Sequence, residues 1–227
     1  MNAEIQEIPT YKESLKLLRE QLGGMLPAEK LAIFDTDATD LGKRQVAPLK
    51  IHVGDKAPLF GLPNPQGESI KLADLLQQGS VVLTFYRGVW CPYCNLEIKN
   101  LQAILPHIKA AGANLVAISP MTPDFSKNMQ EQNALDFHVL SDVDNAVSRQ
   151  YTSVFQNPES SIKAMADLGY DFYSFYDSHS GELAVPATFI IRQSGEVLFA
   201  RSAGGDYRQR IEPQEILDAL ESNLNSK

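Results

Sequence analysis

The sequence predicts an α/β fold, with a central mixed β-sheet flanked by helices and a helical extension at the N-terminus. Three observations lead to it. From residue 81 onward, short runs rich in Val, Ile and aromatic residues alternate with amphipathic segments, the pattern of strands linked by helices. The run Val81 to Tyr86 is continuously apolar, β-branched and aromatic apart from Thr84, as a strand covered on both faces should be. Near the C-terminus, Gln193-Ser194-Gly195 separates two further apolar runs and signals a hairpin.

The elements follow in order. Between Tyr11 and about Leu41 helical spacing occurs twice, with Leu15, Leu18 and Leu22 on one stripe and Leu31 and Phe34 on a second. Gly23-Gly24 and Pro27 divide the two, so residues 1–50 read as a two-helix arm and linker ahead of a main domain at 51–227. The arm packs on that domain or on a second subunit. Gly42, Pro48 and Gly54 mark the linker, and "GDKAPLFGLPNPQG" is dense in turn formers. After the strand at Val81 to Tyr86, a helix is expected from Pro92 to Ala110, with Pro92 in its first turn and Pro106 kinking or dividing it. Asn114 to Ser119 is the next strand, Thr122 to Asn133 a helix, Phe137 to Asp142 a third strand, and Asn145 to Tyr151 a short helix. An aromatic-rich insertion, "DFYSFYDSHSGE", precedes the hairpin in "AVPATFIIRQSGEVLFA", and "EPQEILDALESNL" is a closing helix. This order fits a thioredoxin-like α/β sandwich.

A chain of 227 residues with 44% hydrophobic content can bury one sizeable core. It contains no uninterrupted apolar segment of roughly 18 residues, and its start lacks the basic-then-apolar pattern of a secretory signal, so a cytoplasmic location without membrane contact is expected. A formal net charge of -8, without clustered Lys or Arg, disfavours nucleic acid as a partner. The only two cysteines, Cys91 and Cys94, cannot supply a disulfide framework, and in a reducing compartment such a pair is catalytic or metal-binding more often than structural.

If a strand ends at Tyr86 and a helix begins near Pro92, Cys91 occupies the helix N-terminus. Free backbone N–H groups and the positive end of the dipole favour a thiolate there, which makes Cys91 the expected nucleophile. Cys94 lies one turn further on, within disulfide reach of an i,i+3 pair. Zinc generally needs four ligands, whereas His52, His107, His138 and His179 are scattered, so no metal or other cofactor is expected. Burial of two small thiols as packing is the bland alternative. Of the surrounding aromatics only Trp90, next to the nucleophile, carries site weight. Pro186 in "VPAT" precedes a strand at a place where thioredoxin-like folds set a cis-proline loop facing the cysteines, and an ordinary turn is its alternative.

From "VGDKAPLFGLPNPQGESIKLADLL" through "VVLTFYRGVWCPYCNLEIKNLQ" and "VPATFIIRQSGEVLFA" to "DYRQRIEPQEIL", the chain resembles the alkyl hydroperoxide reductase and thiol-specific antioxidant superfamily, the peroxiredoxins. The resemblance implies a thioredoxin fold and reduction of hydrogen peroxide or organic hydroperoxides. Cys91 would take the peroxidatic position and pass through a sulfenic acid. Cys94 would condense with it to a disulfide, which a thioredoxin-like or glutathione-type reductant opens by exchange. A homodimer is compatible with the resemblance.

The chain departs from the standard pattern at two positions. Gly88 stands three residues before Cys91, where a Thr or Ser hydroxyl is usual, and the usual later arginine aligns at about Pro186. Arg87 could supply a cation to the thiolate instead, or be solvated or paired with a carboxylate; Arg149, Arg192 and Arg201 are weaker candidates. Tyr207 or Arg208 of "GGDYRQR" could also approach the redox centre. Three functions follow: a thiol peroxidase, a thiol-disulfide oxidoreductase acting on protein or small disulfides, and a redox-sensing interaction protein.

Overall fold

The computed structural model describes residues 8–224. Helix α1 (Tyr11–Met25) runs straight through Gly23 and Gly24 and is broken from α2 (Ala28–Arg44) only at Leu26-Pro27. The proline is the cause: the residue before it is pushed out of the helical region, and Leu26 stands extended at φ -103°, ψ 145°. Both helices lie on the body of the same chain, α1 against α4 (Pro92–Ala110) and α2 against α7 (Glu159–Asp167). Leu15, Leu18, Leu22 and Phe34 pack on the core. Polar contacts tie the arm down at both ends, since the Tyr11 hydroxyl donates to the Arg208 carbonyl at 2.9 Å and the Tyr207 hydroxyl to the Phe34 carbonyl at 2.7 Å.

The strands are β1 (Gly61–Pro63), β2 (Ser69–Lys71), β3 (Ser80–Phe85), β4 (Ala113–Ser119), β5 (His138–Ser141), β6 (Val154–Gln156), β7 (Glu182–Ala184), β8 (Ala187–Ile191) and β9 (Val197–Arg201). Five of them form the main sheet in the order β5-β4-β3-β8-β9, with β3, β4 and β5 parallel and β8 and β9 antiparallel additions. The sheet is therefore mixed and β3 is its centre. Strand β3 alternates as a doubly covered strand must. Val82 faces Ile98 and Ile104 of α4, while Val81, Leu83 and Phe85 face Leu72 and Leu75 of α3 (Leu72–Gln78) and the buried ring of Tyr151. The remaining helices are α5 (Pro123–Gln132), α6 (Ser148–Tyr151) and α8 (Pro213–Leu224). This is the expected fold class, a thioredoxin-like sandwich.

Three local features differ from expectation. Pro106 neither ends nor divides α4, which continues to Ala110; the single amide bond it forfeits is outweighed by burial of Ile104, Leu105 and Ile108 around it. Three short elements, α7 and the antiparallel pair β6 and β7 on either side of it, lie where no helix or strand was expected. The cis-proline loop expected at Pro186 is absent, because no cis peptide bond occurs among the described residues. Extended backbone carries the chain from β7 into β8, pinned by Val185 N–H on the Ser153 carbonyl, the Thr152 hydroxyl on the Val185 carbonyl and the Ser202 hydroxyl on the Pro186 carbonyl. No helix among the described residues is long and apolar enough to cross a membrane.

Candidate active site

Central strand β3 ends at Phe85, and six residues of connection, Tyr86 to Cys91, lead into α4. Tyr86 N–H still bonds the Ile118 carbonyl of β4, and Cys91 N–H closes a turn on the Gly88 carbonyl at 3.1 Å. Cys91 is the N-cap of α4, with φ -87° and ψ 113°. Asn95 holds this corner by donating from Nδ2 to the carbonyls of Val89 (2.6 Å) and Cys91 (2.9 Å). Both thiols are free, and both are buried, Cys91 to 1% and Cys94 to 0% exposure.

Each sulfur has its own guanidinium. Arg87 Nη1 lies 3.8 Å from Cys91 Sγ, and Arg210 Nη2 lies 3.2 Å from Cys94 Sγ. The Arg87 N–H also donates to Cys94 Sγ at 3.4 Å. Arg87 is buried, stacked 3.7 Å from the centroid of Tyr207 and 4.7 Å from that of Trp90, with Nη2 on Asn157 Oδ1 at 3.2 Å. Its partners are thus a sulfur, an amide and two aromatic faces, not a carboxylate or solvent. Arg210 also holds Glu97, Nε to Oε2 at 2.5 Å, as a pair with side chains only 3% and 7% exposed.

Charge balance follows from this set. Two guanidiniums and one carboxylate leave one positive charge uncompensated in a buried site, and buried charges are paired. A thiolate completes the set. Burial alone would raise the Cys91 thiol, but the hydrogen bond with Cys94 and the fields of Arg87 and Arg210 outweigh it and lower Cys91 to about 6. The neighbouring Cys94 is pushed well above the ordinary thiol value by burial and then by the Cys91 thiolate. One nucleophile and one protonated partner result. Iodoacetamide alkylation of the reduced protein is accordingly expected to titrate with a midpoint near pH 6 at Cys91, with Cys94 unmodified there; a single midpoint near the ordinary thiol value of about 8.5 would contradict it.

Gly88 stands where the resemblance would place a Thr or Ser, and the space a side chain would need is taken. A Cβ at Gly88 would stand 2.5 Å from Trp90 Nε1 and 3.1 Å from the Tyr176 hydroxyl. Trp90 Nε1 donates to Tyr176 Oη at 2.8 Å, and that hydroxyl donates to the Arg87 carbonyl at 3.1 Å. The indole is thereby fixed over the corner. Gly88→Ala is expected to displace the ring, costing about 1–3 kcal/mol. Thermal unfolding and a shifted Trp90 emission check this, and an unchanged spectrum would count against it.

A chamber of about 240 Å³ opens onto Cys91. Its floor is Cys91 with Arg87, Trp90 and Tyr207; its walls are Leu22 and Leu26 at the end of α1, Leu31 and Phe34 of α2, and Met165 and Leu168 at the end of α7. The arm therefore roofs the nucleophile.

Of the residues singled out in the sequence, the fold brings Cys91, Cys94, Arg87, Trp90 and Tyr207 together. Pro186 bonds to none of the groups around the two sulfurs, and its carbonyl is spent on Ser202. Arg208 turns away to Asp35 and Asp206, while Arg149 and Arg192 pair with Glu182 and Glu196. Arg201 stacks on Phe199. Two residues were missed, Arg210 and Glu97. Glu97 did carry a signal: one turn after Cys94 it puts a carboxylate on the buried stripe of α4, which demands a cation. Among the described residues no three His, Cys, Asp or Glu side chains converge as metal ligands.

The model of the AhpC/TSA family matches residues 53–200. Peroxiredoxin Bcp of Escherichia coli strain K12 is 35% identical over 104 residues, which cover 46% of this chain and 65% of that protein, just under two thirds of its length. Among solved structures, peroxidoxin BcpB of Mycobacterium tuberculosis superposes with a TM-score of 0.57 at 22% identity, covering 76% of this chain and 97% of that one. Peroxiredoxin Q of Xanthomonas campestris gives 0.53 at 19% identity, covering 72% and 90%. Likeness at that level of identity shows the shared fold. With the family model spanning β1 to β9 and both cysteines inside it, the chain belongs to the AhpC/TSA family.

Proposed function

We propose that this chain is a thiol-dependent peroxidase that reduces organic hydroperoxides ahead of hydrogen peroxide. The Cys91 thiolate takes the terminal OH of ROOH, the O–O bond breaks, and RO⁻ leaves and takes a proton from water. Arg87, 3.8 Å from the sulfur, supplies the fixed cation for the negative charge on the departing oxygen. Cys94 then condenses with the Cys91 sulfenic acid to a disulfide and water, and a dithiol of thioredoxin or glutathione type reopens it.

The observation that carries this reading is the burial of Cys91 at the floor of an apolar chamber. A small hydroperoxide fits a space of about 240 Å³ beside the Cys91 sulfur. Hydrogen peroxide would use little of that space, since one water needs only about 10–15 Å³, and the apolar walls offer few of the 2–4 polar partners a filling water requires. An alkyl group gains about fourfold for each methylene buried there.

Stopped-flow Trp90 fluorescence of the reduced protein tests this with hydrogen peroxide, ethyl, butyl and hexyl hydroperoxides, and glutathione disulfide in parallel. Rate constants should rise along the alkyl series. Rapid reaction with disulfide and none with any peroxide would replace the reading by a disulfide oxidoreductase, the reading otherwise supported by the paired cysteines. Cys94→Ser should give one oxidation event per chain and then stall with thioredoxin present; sustained turnover would remove Cys94 from its role. The proposal includes a cytoplasmic location, where thiols are kept reduced, and a homodimer, for which light scattering of the reduced protein is the check.

A further inference from the structure

Cys94 must lose a proton before it can attack, yet its side chain is fully buried from bulk solvent. Its sulfur shares a guanidinium with a carboxylate: Arg210 donates Nη2 to Cys94 Sγ at 3.2 Å and Nε to Glu97 Oε2 at 2.5 Å. We infer that Glu97 and Arg210 form the acid–base device of the resolving step, in which Glu97 gains the proton that Cys94 loses while the charge of Arg210 passes from carboxylate to sulfur. Glu97 is in this sense a positioning residue that acts through Arg210. The inference rests on Cys94 as the resolving thiol of the proposed cycle.

The surroundings single out Glu97. It is faced by Arg210 from the loop before α8, by Thr84 of β3 with its hydroxyl 3.4 Å from Oε1, by Cys94 and Asn100 of its own helix, and by Tyr11 of α1. Arg210 is the one cation and Glu97 the one carboxylate in that group. Burial raises the Glu97 carboxyl despite Arg210, which brings it toward the range where it can accept a proton. Oxidation supplies the trigger. While Cys91 is a thiolate it raises Cys94, and conversion to a sulfenic acid removes that charge and leaves Arg87 and Arg210 short of an anion.

The step balances within the site. Before it stand Cys91–SOH, Cys94–SH and the Glu97 carboxylate. Cys94 loses its proton, Glu97 gains one, the Cys94 sulfur forms the S–S bond and the S–O bond of Cys91 breaks. Hydroxide leaves, is protonated to water, and Glu97 returns to the carboxylate. Two electrons pass from Cys94 to the Cys91 sulfur, and no external oxidant or base is used.

An internal acceptor has a pH signature. In the full-length wild-type protein the decay of the Cys91 sulfenic acid, followed by mass spectrometry after one equivalent of hydroperoxide, should vary by no more than about twofold from pH 6 to 8. In Glu97→Gln the proton must reach solvent, so the same rate should climb about tenfold per pH unit and fall roughly 10²-fold below wild type at pH 6. Glu97→Asp should restore part of the flat profile. The same measurements on the mixed disulfide of Cys91 with glutathione, which Cys94 resolves by expelling glutathione, separate this device from the peroxide chemistry. A wild-type rate proportional to hydroxide on both electrophiles, or a Glu97→Gln profile matching wild type, overturns the inference while leaving the peroxidase intact. Failure with peroxide alone, with a flat profile on the mixed disulfide, retains the inference and removes the peroxidase.

Discussion

Cys91→Ser should lower hydroperoxide consumption by roughly 10³-fold or more, to the rate of buffer, even though the fold and the chamber persist. Serine is close in size, so the packing around the N-cap of α4 changes little, but its hydroxyl cannot ionise at neutral pH in the field that lowers the Cys91 thiol to about 6. Cys94 cannot take over, because it lies at 0% exposure one turn inside the helix and away from the floor of the chamber. Mass spectrometry of the peroxide-treated variant should therefore find no added oxygen on Cys94. A second consequence concerns stability. The Cys91 thiol is depressed in the folded chain relative to about 8.5 when unfolded, so between about pH 6 and 8.5 the unfolded state holds more protons and folding stability rises with pH. That stability is lost as pH falls through 6. Urea unfolding of the reduced wild type should show this rise, and Cys91→Ser should not. A variant that still clears peroxide would move the nucleophile elsewhere.

The sequence makes the site half visible, for reasons tied to particular residues. Cys91, Cys94, Arg87 and Trp90 lie within eight positions, and once a strand and a helix are recognised on either side, helix geometry places the sulfurs without tertiary information. Arg210 stands 116 residues from Cys94, and only the packed chain brings it there. Within "DYRQR" the side chains at 207, 208 and 210 diverge: Tyr207 stacks on Arg87, Arg208 binds Asp35 of the arm, and Arg210 enters the core. No periodicity applies to an irregular loop, so nothing local says which of them points inward. The arm presents the same difficulty in reverse. Its helices are plain from Leu spacing, yet the face that roofs Cys91 is set by α7, a nine-residue helix whose nearest apolar signals are sparse. Pro186 differs in another way: the cis bond expected from its position in the fold is absent, and the crossing is held by Val185 N–H on the Ser153 carbonyl and by the Thr152 and Ser202 hydroxyls on the Val185 and Pro186 carbonyls.

Arg210→Met should be among the most destabilising single changes in this protein, by roughly 3 to 5 kcal/mol near neutral pH, because it strands a buried carboxylate. Glu97 is 5% exposed, its main partner is Arg210, and the Thr84 hydroxyl at 3.4 Å cannot replace a guanidinium. The sign of the pH dependence distinguishes this cause from lost packing. Burial already raises Glu97 in the native chain, with Arg210 opposing the rise, so the variant's Glu97 must go higher still. Above the unfolded carboxyl value of about 4.3 the folded variant then holds more protons than the unfolded chain, and its stability falls as pH rises. The deficit relative to wild type should be small at pH 4.5 and near its full size at pH 7.5 in urea melts. Adding Glu97→Gln should recover much of it, since a neutral amide needs no counter-ion, and the double variant should lose the fall in stability with rising pH that Glu97 causes. An equal loss at both pH values would mean that Arg210 contributes through its packed methylenes, and the charge balance that leaves Cys91 as the thiolate of this site would have to be drawn without it.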